Sequence, residues 1–251
     1  MTAPEVVVLP SAEGLAEAVA SRLVDALAQA QVSRGRASLG LTAGSIMEQV
    51  WTALAATPGA SLDWAGVDVV WGDERFVAAG SADRNDAPAD RILFDHAPFS
   101  AAARYPMPAS DGEYGDDLDA AADGYAATLF GLRQPVDKGA EPNVDVMLLG
   151  IGPDGHCCSL FPSHPGLAVT GRSVIPVRNS PKPPPLRLSL SFEGLNSSEE
   201  IWVVASGSGK ASAVAAALGG ANKIDYPSAG ARGRRRTIWF LDSDAASQLP
   251  G

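Results

Sequence analysis

A histidine held among glycines is the group in this chain best suited to moving a proton. An apolar, strand-like run from Asn143 to Leu149 opens onto Gly150-Ile151-Gly152-Pro153-Asp154-Gly155-His156, followed by Cys157-Cys158-Ser159-Leu160-Phe161-Pro162. Imidazole titrates near neutrality, so His156 can act as general base or acid, and the carboxyl end of a parallel strand is where open α/β sheets gather ligands. Gly150, Gly152 and Gly155 also fit the spacing of a dinucleotide fingerprint. That fingerprint needs a helix starting inside the glycines and an acidic residue about 20 positions later to hold the ribose. Pro153, Pro162 and Pro165 break the segment and Thr170 to Pro176 contains no carboxylate, so NAD is not expected.

Several other segments end an apolar run with small or charged residues. Trp71-Gly72-Asp73-Glu74-Arg75-Phe76 concentrates three charges where an unpaired buried charge would be costly. Alternation along an extended chain places Asp73 and Arg75 on one face, as site candidates, and leaves Glu74 for structural pairing. Arg84 and Asn85 either cap the following helix or line the same cleft. Leu41-Thr42-Ala43-Gly44-Ser45 leads into a helix at Ile46: the N–H groups around Gly44 and Ser45 either cradle a phosphate, or Ser45 is an ordinary N-cap.

Ser206-Gly207-Ser208-Gly209-Lys210 repeats the arrangement and adds a cation. It is not a Walker loop, because Val204 stands in place of the first glycine and Ala211 in place of the magnesium-binding Ser or Thr. Ser180-Pro181-Lys182-Pro183-Pro184-Pro185 lies between two strand-like segments, which favours a stiff internal loop over a polyproline ligand. Such a loop can aim Lys182 and Arg187 at a pocket with little loss of entropy on binding. No serine carries the flanking glycines of a hydrolase nucleophile elbow. A histidine without a covalent nucleophile, facing cations suited to phosphate, points to water activation or proton transfer on a small phosphorylated substrate. A lactone is electrophilic enough for positioning plus one base, worth about 10²–10⁴-fold, to suffice.

The elements that must hold these groups alternate as strand and helix. Strands are expected at Glu5–Leu9, Arg36–Leu41, Val67–Trp71, Val144–Leu149, Ser173–Val177, Leu186–Leu190, Ile201–Ala205 and Thr237–Leu241. Helices are expected at Ala12–Ala30, Ile46–Ala56, Ala87–Phe94, Gly115–Leu132 and Ser212–Leu218. This rhythm predicts an α/β fold with a mainly parallel sheet. With no fixed-period repeat and no linker-length Pro/Gly tract, the 251 residues are read as one domain.

The net charge of −10 and pI near 4.7 disfavour nucleic acid and anionic membranes as partners, so an anionic ligand requires a local cationic pocket. Arg232, Arg234, Arg235 and Arg236 read as a solvated turn, and Asp63, Asp68, Asp116, Asp117 and Asp119 as surface charge. Val6 to Leu9 is too short for a targeting segment, and no apolar run reaches membrane-spanning length. Cys157 and Cys158 cannot staple distant segments; with His156 and His164 they match no standard zinc set. Buried thiols in a reducing cytoplasm are expected.

Taken together, these residues resemble the 6-phosphogluconolactonase family of the pentose phosphate pathway over nearly the whole chain. Gly150 to Pro162 is the strongest match, joined in order by Trp71 to Arg75, Ser180 to Arg187 and Gly207 to Lys210. The resemblance implies a Rossmann-like sheet flanked by helices, shared with glucosamine-6-phosphate deaminases. It also implies cofactor- and metal-free hydrolysis of a small phosphosugar lactone; whether the chain is a monomer is left open by the sequence. By position, His156 is the general base and Asp154 orients it, Asp73 and Arg75 contact the sugar or developing charge, and Gly44, Ser45, Lys182, Arg187 and Lys210 meet the phosphate.

Ala43 departs from the family's usual Gly, and Ile46-Met47 from its Thr-Pro, shifting the expected phosphate contact toward Lys210 and Arg187. Cys157 and Cys158 replace Thr or Ala and imply oxidation sensitivity beside the base. Amino-sugar phosphate deaminases on the same scaffold carry Phe-Asn-Glu-Pro after the histidine; Ser159-Leu160-Phe161-Pro162 lacks both amide and carboxylate. A non-catalytic sugar-phosphate sensor would have no need to retain Asp73, Arg75, Asp154 and His156.

Overall fold

The computed structural model describes residues 3–57, 61–132 and 144–250. In chain order the elements are β1 (Glu5–Leu9), α1 (Ala12–Arg34), β2 (Ala37–Leu41), α2 (Ser45–Ala56), β3 (Val67–Trp71), β4 (Asp73–Arg75), α3 (Asp86–Ala89) and β5 (Ala103–Tyr105). They continue as α4 (Leu118–Gly131), β6 (Val146–Gly150), β7 (Val174–Val177), β8 (Arg187–Leu190), α5 (Phe192–Asn196), β9 (Glu200–Ala205), α6 (Ala211–Leu218) and β10 (Arg236–Asp242). Asn143, where the expected strand run began, lies outside the described residues.

Seven strands form a parallel sheet in the order β1-β10-β9-β6-β2-β3-β5. Every residue of β3 and β9 is buried, as befits strands covered on both faces, whereas the edge strand β1 leaves Val6 and Val8 exposed. From β2 the chain builds outward through β3 to β5, and from β6 it builds the other way through β9 to β10. The direction reverses between β2 and β6, so their carboxyl ends flank a crevice into which both following loops open.

α1 packs across β1, β10, β2 and β6 and against α2. Its stripe of Leu15, Val19, Leu23 and Leu27 is fully buried, Ser11 accepts from the Gly14 amide at 3.2 Å, and Gly35 ends it at φ 79°. No helix among the described residues is long and apolar enough to cross a membrane.

Three expectations are corrected here. The strands around Ser173–Val177 and Leu186–Leu190 do not join the parallel sheet. They pair antiparallel with each other, and β8 pairs with β4, a strand not foreseen in the charged segment after Trp71. Asp68 is not surface charge: it is 6% exposed and receives Arg36 Nη2 at 2.6 Å. The basic run is a solvated turn only in part: Arg234 and Arg235 are exposed, but Arg235 and Arg236 both bond the buried Glu200, which also accepts from Trp202 Nε1 at 2.8 Å. A carboxylate withdrawn from water needs such partners.

Gly72 alone separates β3 from β4 and hands the chain from one sheet to the other. Its amide donates to Leu41 O at 2.7 Å and its carbonyl accepts from Leu190 N at 2.8 Å. A Cβ at this position would lie 2.8 Å from Thr42 Cγ2 and 3.0 Å from Cys158 Sγ, so only glycine lets the sheets meet this closely.

Candidate active site

The loops after β2, β6 and β9, the strand β4 and the Pro-rich loop before β8 enclose a cavity of about 310 Å³. Of the residues singled out in the sequence, Gly44, Ser45, Asp73, Arg75, His156, Lys182, Arg187 and Lys210 all line it. Asp154 does not; it stands behind His156, with its Oδ1 2.5 Å from Nδ1.

The turn after β6 closes on itself, with Gly152 N donating to His156 O at 2.8 Å and Gly155 N to Gly152 O at 2.9 Å. Gly155 has φ 80°, and its carbonyl accepts from Ser228 N at 2.8 Å. The His156 ring packs on Phe161 with centroids 4.9 Å apart. A carboxylate so close to Nδ1 requires a proton on that nitrogen, which assigns the tautomer and leaves Nε2 as the basic lone pair.

Lys182 Nζ lies 3.2 Å from Nδ1 and 3.6 Å from Asp154 Oδ1. With Nδ1 already donating, the ammonium's favourable partner in this trio is the carboxylate. Burial raises the pKa of Asp154, but the hydrogen bond from His156, the charge that ring carries when protonated, and Lys182 outweigh it and hold the carboxyl well below its ordinary range. Asp154 therefore stays ionised beside the ring.

On β4, Asp73 and Arg75 face the cavity and Glu74 points inward. Asp73 accepts from Ser159 Oγ at 2.7 Å, and Asn85 Nδ2 donates to Asp73 O at 3.0 Å. Asn85 also lines the cavity, while Arg84 is buried and bonds Asp86 and the Met107 carbonyl. Arg75 Nη1 donates to Asp83 O at 2.5 Å.

Buried Glu74 receives the amides of Arg75 (2.7 Å), Asn85 (2.6 Å) and Asp86 (3.1 Å). Burial raises its pKa from 4.5 to about 7, only partly offset by Arg84 and the Asn85 amide. Between those two values the unfolded chain loses a proton that the native state keeps, so this group's stabilisation is complete below 4.5 and lost as pH rises through about 7. Glu74→Gln, which cannot ionise, is expected to flatten that part of the stability–pH curve. Urea midpoints at about pH 5 and about pH 7 test this, against a slope of at most about 1.4 kcal/mol per pH unit from one group.

Two further loops, after β2 and β9, border the cavity. After β2, Thr42 Oγ1 donates to Leu148 O at 3.2 Å and accepts from Gly150 N at 3.1 Å, tying the two strand exits together. Gly44, at φ 152°, is the N-cap of α2 and has no side chain to occupy the first-turn amides; Ser45 is already helical, so the Ser45 N-cap expectation is corrected. Ala43 has no positive φ, so its methyl imposes no backbone strain.

After β9, Asp242 pins the loop by accepting from Ser206 Oγ at 2.5 Å and Gly207 N at 3.0 Å, and Lys210 lines the cavity at the start of α6. Burial, then the charge of Lys182, lowers the Lys210 pKa. Two ammonium groups sharing a partly buried space are a natural seat for an anion, whose charge would offset both influences.

Thr42, Ser159 and Asp242 were not foreseen. Asp242 had a signal, a lone carboxylate ending the apolar run Ile238–Leu241, but its partner loop is 36 positions away in sequence. Both cysteines are buried free thiols, which works against the oxidation sensitivity expected of them. Burial, then the charge of Asp73, pushes Cys157 up to about 12 and Cys158 well above its ordinary value, and the thiolate is the reactive species.

The pattern of the family described as glucosamine-6-phosphate isomerases/6-phosphogluconolactonase matches residues 10–239. A 6-phosphogluconolactonase of Streptomyces coelicolor is 48% identical over 248 residues, covering 98% of this chain and 95% of the relative. One from Mycobacterium tuberculosis is 43% identical over 243 residues, covering 97% of each. Among solved structures, the 6-phosphogluconolactonase of Trypanosoma brucei superposes with a TM-score of 0.83 at 25% identity and covers 100% of both chains. A monomeric glucosamine-6-phosphate deaminase shares the fold, with a TM-score of 0.76 at 21% identity over 97% of this chain and 99% of its own. On that family pattern and those full-length identities, the chain belongs to the glucosamine-6-phosphate isomerase/6-phosphogluconolactonase family.

Proposed function

We propose that this chain, acting as one domain in the cytoplasm, hydrolyses 6-phospho-D-glucono-1,5-lactone to 6-phospho-D-gluconate. The observation that carries the reading is an imidazole whose Nδ1 is engaged by Asp154 and whose ring opens into the same cavity as Arg75, Lys182, Arg187 and Lys210. His156 Nε2 takes a proton from water as its oxygen attacks the lactone carbonyl. Arg75 faces the charge that develops on the carbonyl oxygen. Asp73, held by Ser159, contacts the sugar. As the C–O bond to the ring oxygen breaks, His156 returns the proton to that oxygen and is regenerated.

The amides at Gly44 and Ser45 and the cations Lys182, Arg187 and Lys210 together take the phosphate. The lactonase reading is preferred over amino-sugar isomerisation because no amide or carboxylate follows the histidine in Ser159-Leu160-Phe161-Pro162.

The test is turnover of freshly prepared phospholactone against non-phosphorylated gluconolactone, each corrected for spontaneous opening. Strong discrimination for the phosphate is expected, and equal rates on both would refute the anion pocket. Lys210→Ala should raise KM for the phospholactone about 10–10²-fold, the worth of one charge-assisted hydrogen bond. Its rate on the non-phosphorylated lactone should change little.

A further inference from the structure

Lys182, Arg187 and Lys210 are not equivalent. The loop preceding β8 contains Pro181, Pro183, Pro184 and Pro185, which have no N–H, so its carbonyls must find donors elsewhere. Arg187, only 5% exposed, supplies them: Nη2 donates to the carbonyls of Lys182 at 2.9 Å and Pro183 at 3.1 Å, and Nε to that of Pro184 at 3.3 Å. The Lys182 carbonyl also accepts from Ser180 Oγ at 2.8 Å, so two donors fix the backbone of this lysine. The guanidinium carbon sits 5.7 Å from the centre of the Phe161 ring, the ring on which His156 packs. Three of the five N–H groups of Arg187 are thus spent on the loop, leaving the two on Nη1 for anything else.

We propose that Arg187 is a positioning residue that acts through Lys182, locking the loop so that the Lys182 ammonium stands at the His156–Asp154 pair, and that it is not itself the main grip on the substrate's anion. This rests on the lactonase reading and sharpens the division of labour among its cations. The planar fork is what the role requires. Lysine at position 187 would keep the charge, but it cannot set donors along three successive carbonyls from one rigid plane.

The experiment is a double-mutant cycle on the full chain with Arg187→Met, Arg187→Lys, Lys182→Met and the Lys182→Met/Arg187→Met pair, reading kcat and KM for the phospholactone and for gluconolactone. If Arg187 works by placing Lys182, Arg187→Met and Arg187→Lys lose activity alike, by about 10²-fold, the scale of a misplacement near 1 Å. The double variant is then no worse than Lys182→Met alone. If Arg187 grips the phosphate directly, Arg187→Lys retains most activity and the two losses multiply; that pattern overturns the inference. Should Arg187→Met fail to fold, as judged by circular dichroism, the cycle is closed with Arg187→Lys, whose near-wild-type activity would equally overturn it. A wild-type chain without lactonase activity would sink the underlying reading, whereas an active wild type with multiplicative losses would sink only this proposal.

Discussion

Replacing His156 with alanine is expected to cut phospholactone turnover by about 10²–10⁴-fold, toward the rate of spontaneous opening, while leaving the fold in place. The side chain is 19% exposed and lines a cavity, so its removal enlarges the cavity without opening the apolar core. Because Asp154 and Lys182 remain as an ion pair, the variant leaves no isolated charge at the site. Asp154→Asn should also be costly: the amide can turn its NH2 toward the ring and favour the tautomer with the proton on Nε2, which abolishes the basic lone pair where water must be met. Added imidazole should restore part of the His156→Ala rate if the loss is one of proton transfer. A His156→Ala protein that opens the lactone at the wild-type rate above the blank would refute the assignment.

Gly152→Ala is expected to be almost as damaging, with no chemical group removed. A Cβ on residue 152 would overlap His156 Nδ1 and Asp154 Oδ1, the two atoms whose contact orients the base. Both obstructing groups are side chains that can rotate away, so the backbone survives and the pair is driven apart. Activity should fall at least about 10²-fold, in keeping with misplacement of a catalytic group, with only a small shift in thermal midpoint. Gly80→Ala is the control, since a Cβ there meets nothing within 4 Å and the residue has no positive φ. Gly152→Ala with unimpaired kcat would mean that the close approach of Asp154 and His156 has no bearing on catalysis.

The site loops were legible because each is local. A strand's apolar run, its glycine-rich exit and the first helical residues lie within about ten positions of one another, a span in which backbone propensity and side-chain type dominate. Asp73 and Arg75 share a face because alternation in an extended chain is geometric, and Glu74 turns inward for the same reason. Asp68, by contrast, was misread. Aspartate ordinarily favours the surface, and the arrival of Arg36 from just before the neighbouring strand, with Tyr105 Oη also donating, makes its burial tolerable.

By itself the sequence determined the alternation of strands and helices, the glycine turn around His156 and the kinds of side chain delivered to each strand exit. That β7 and β8 leave the parallel sheet, β8 pairing with β4, was settled by folding. Folding also decided that Asp242 pins the Lys210 loop, and that Arg187 spends its donors on the prolines beside Lys182. The physical reason is one of range. Backbone preference acts between neighbours in the chain, whereas strand partners and the satisfaction of buried donors and acceptors are settled between segments that meet only when the chain has folded.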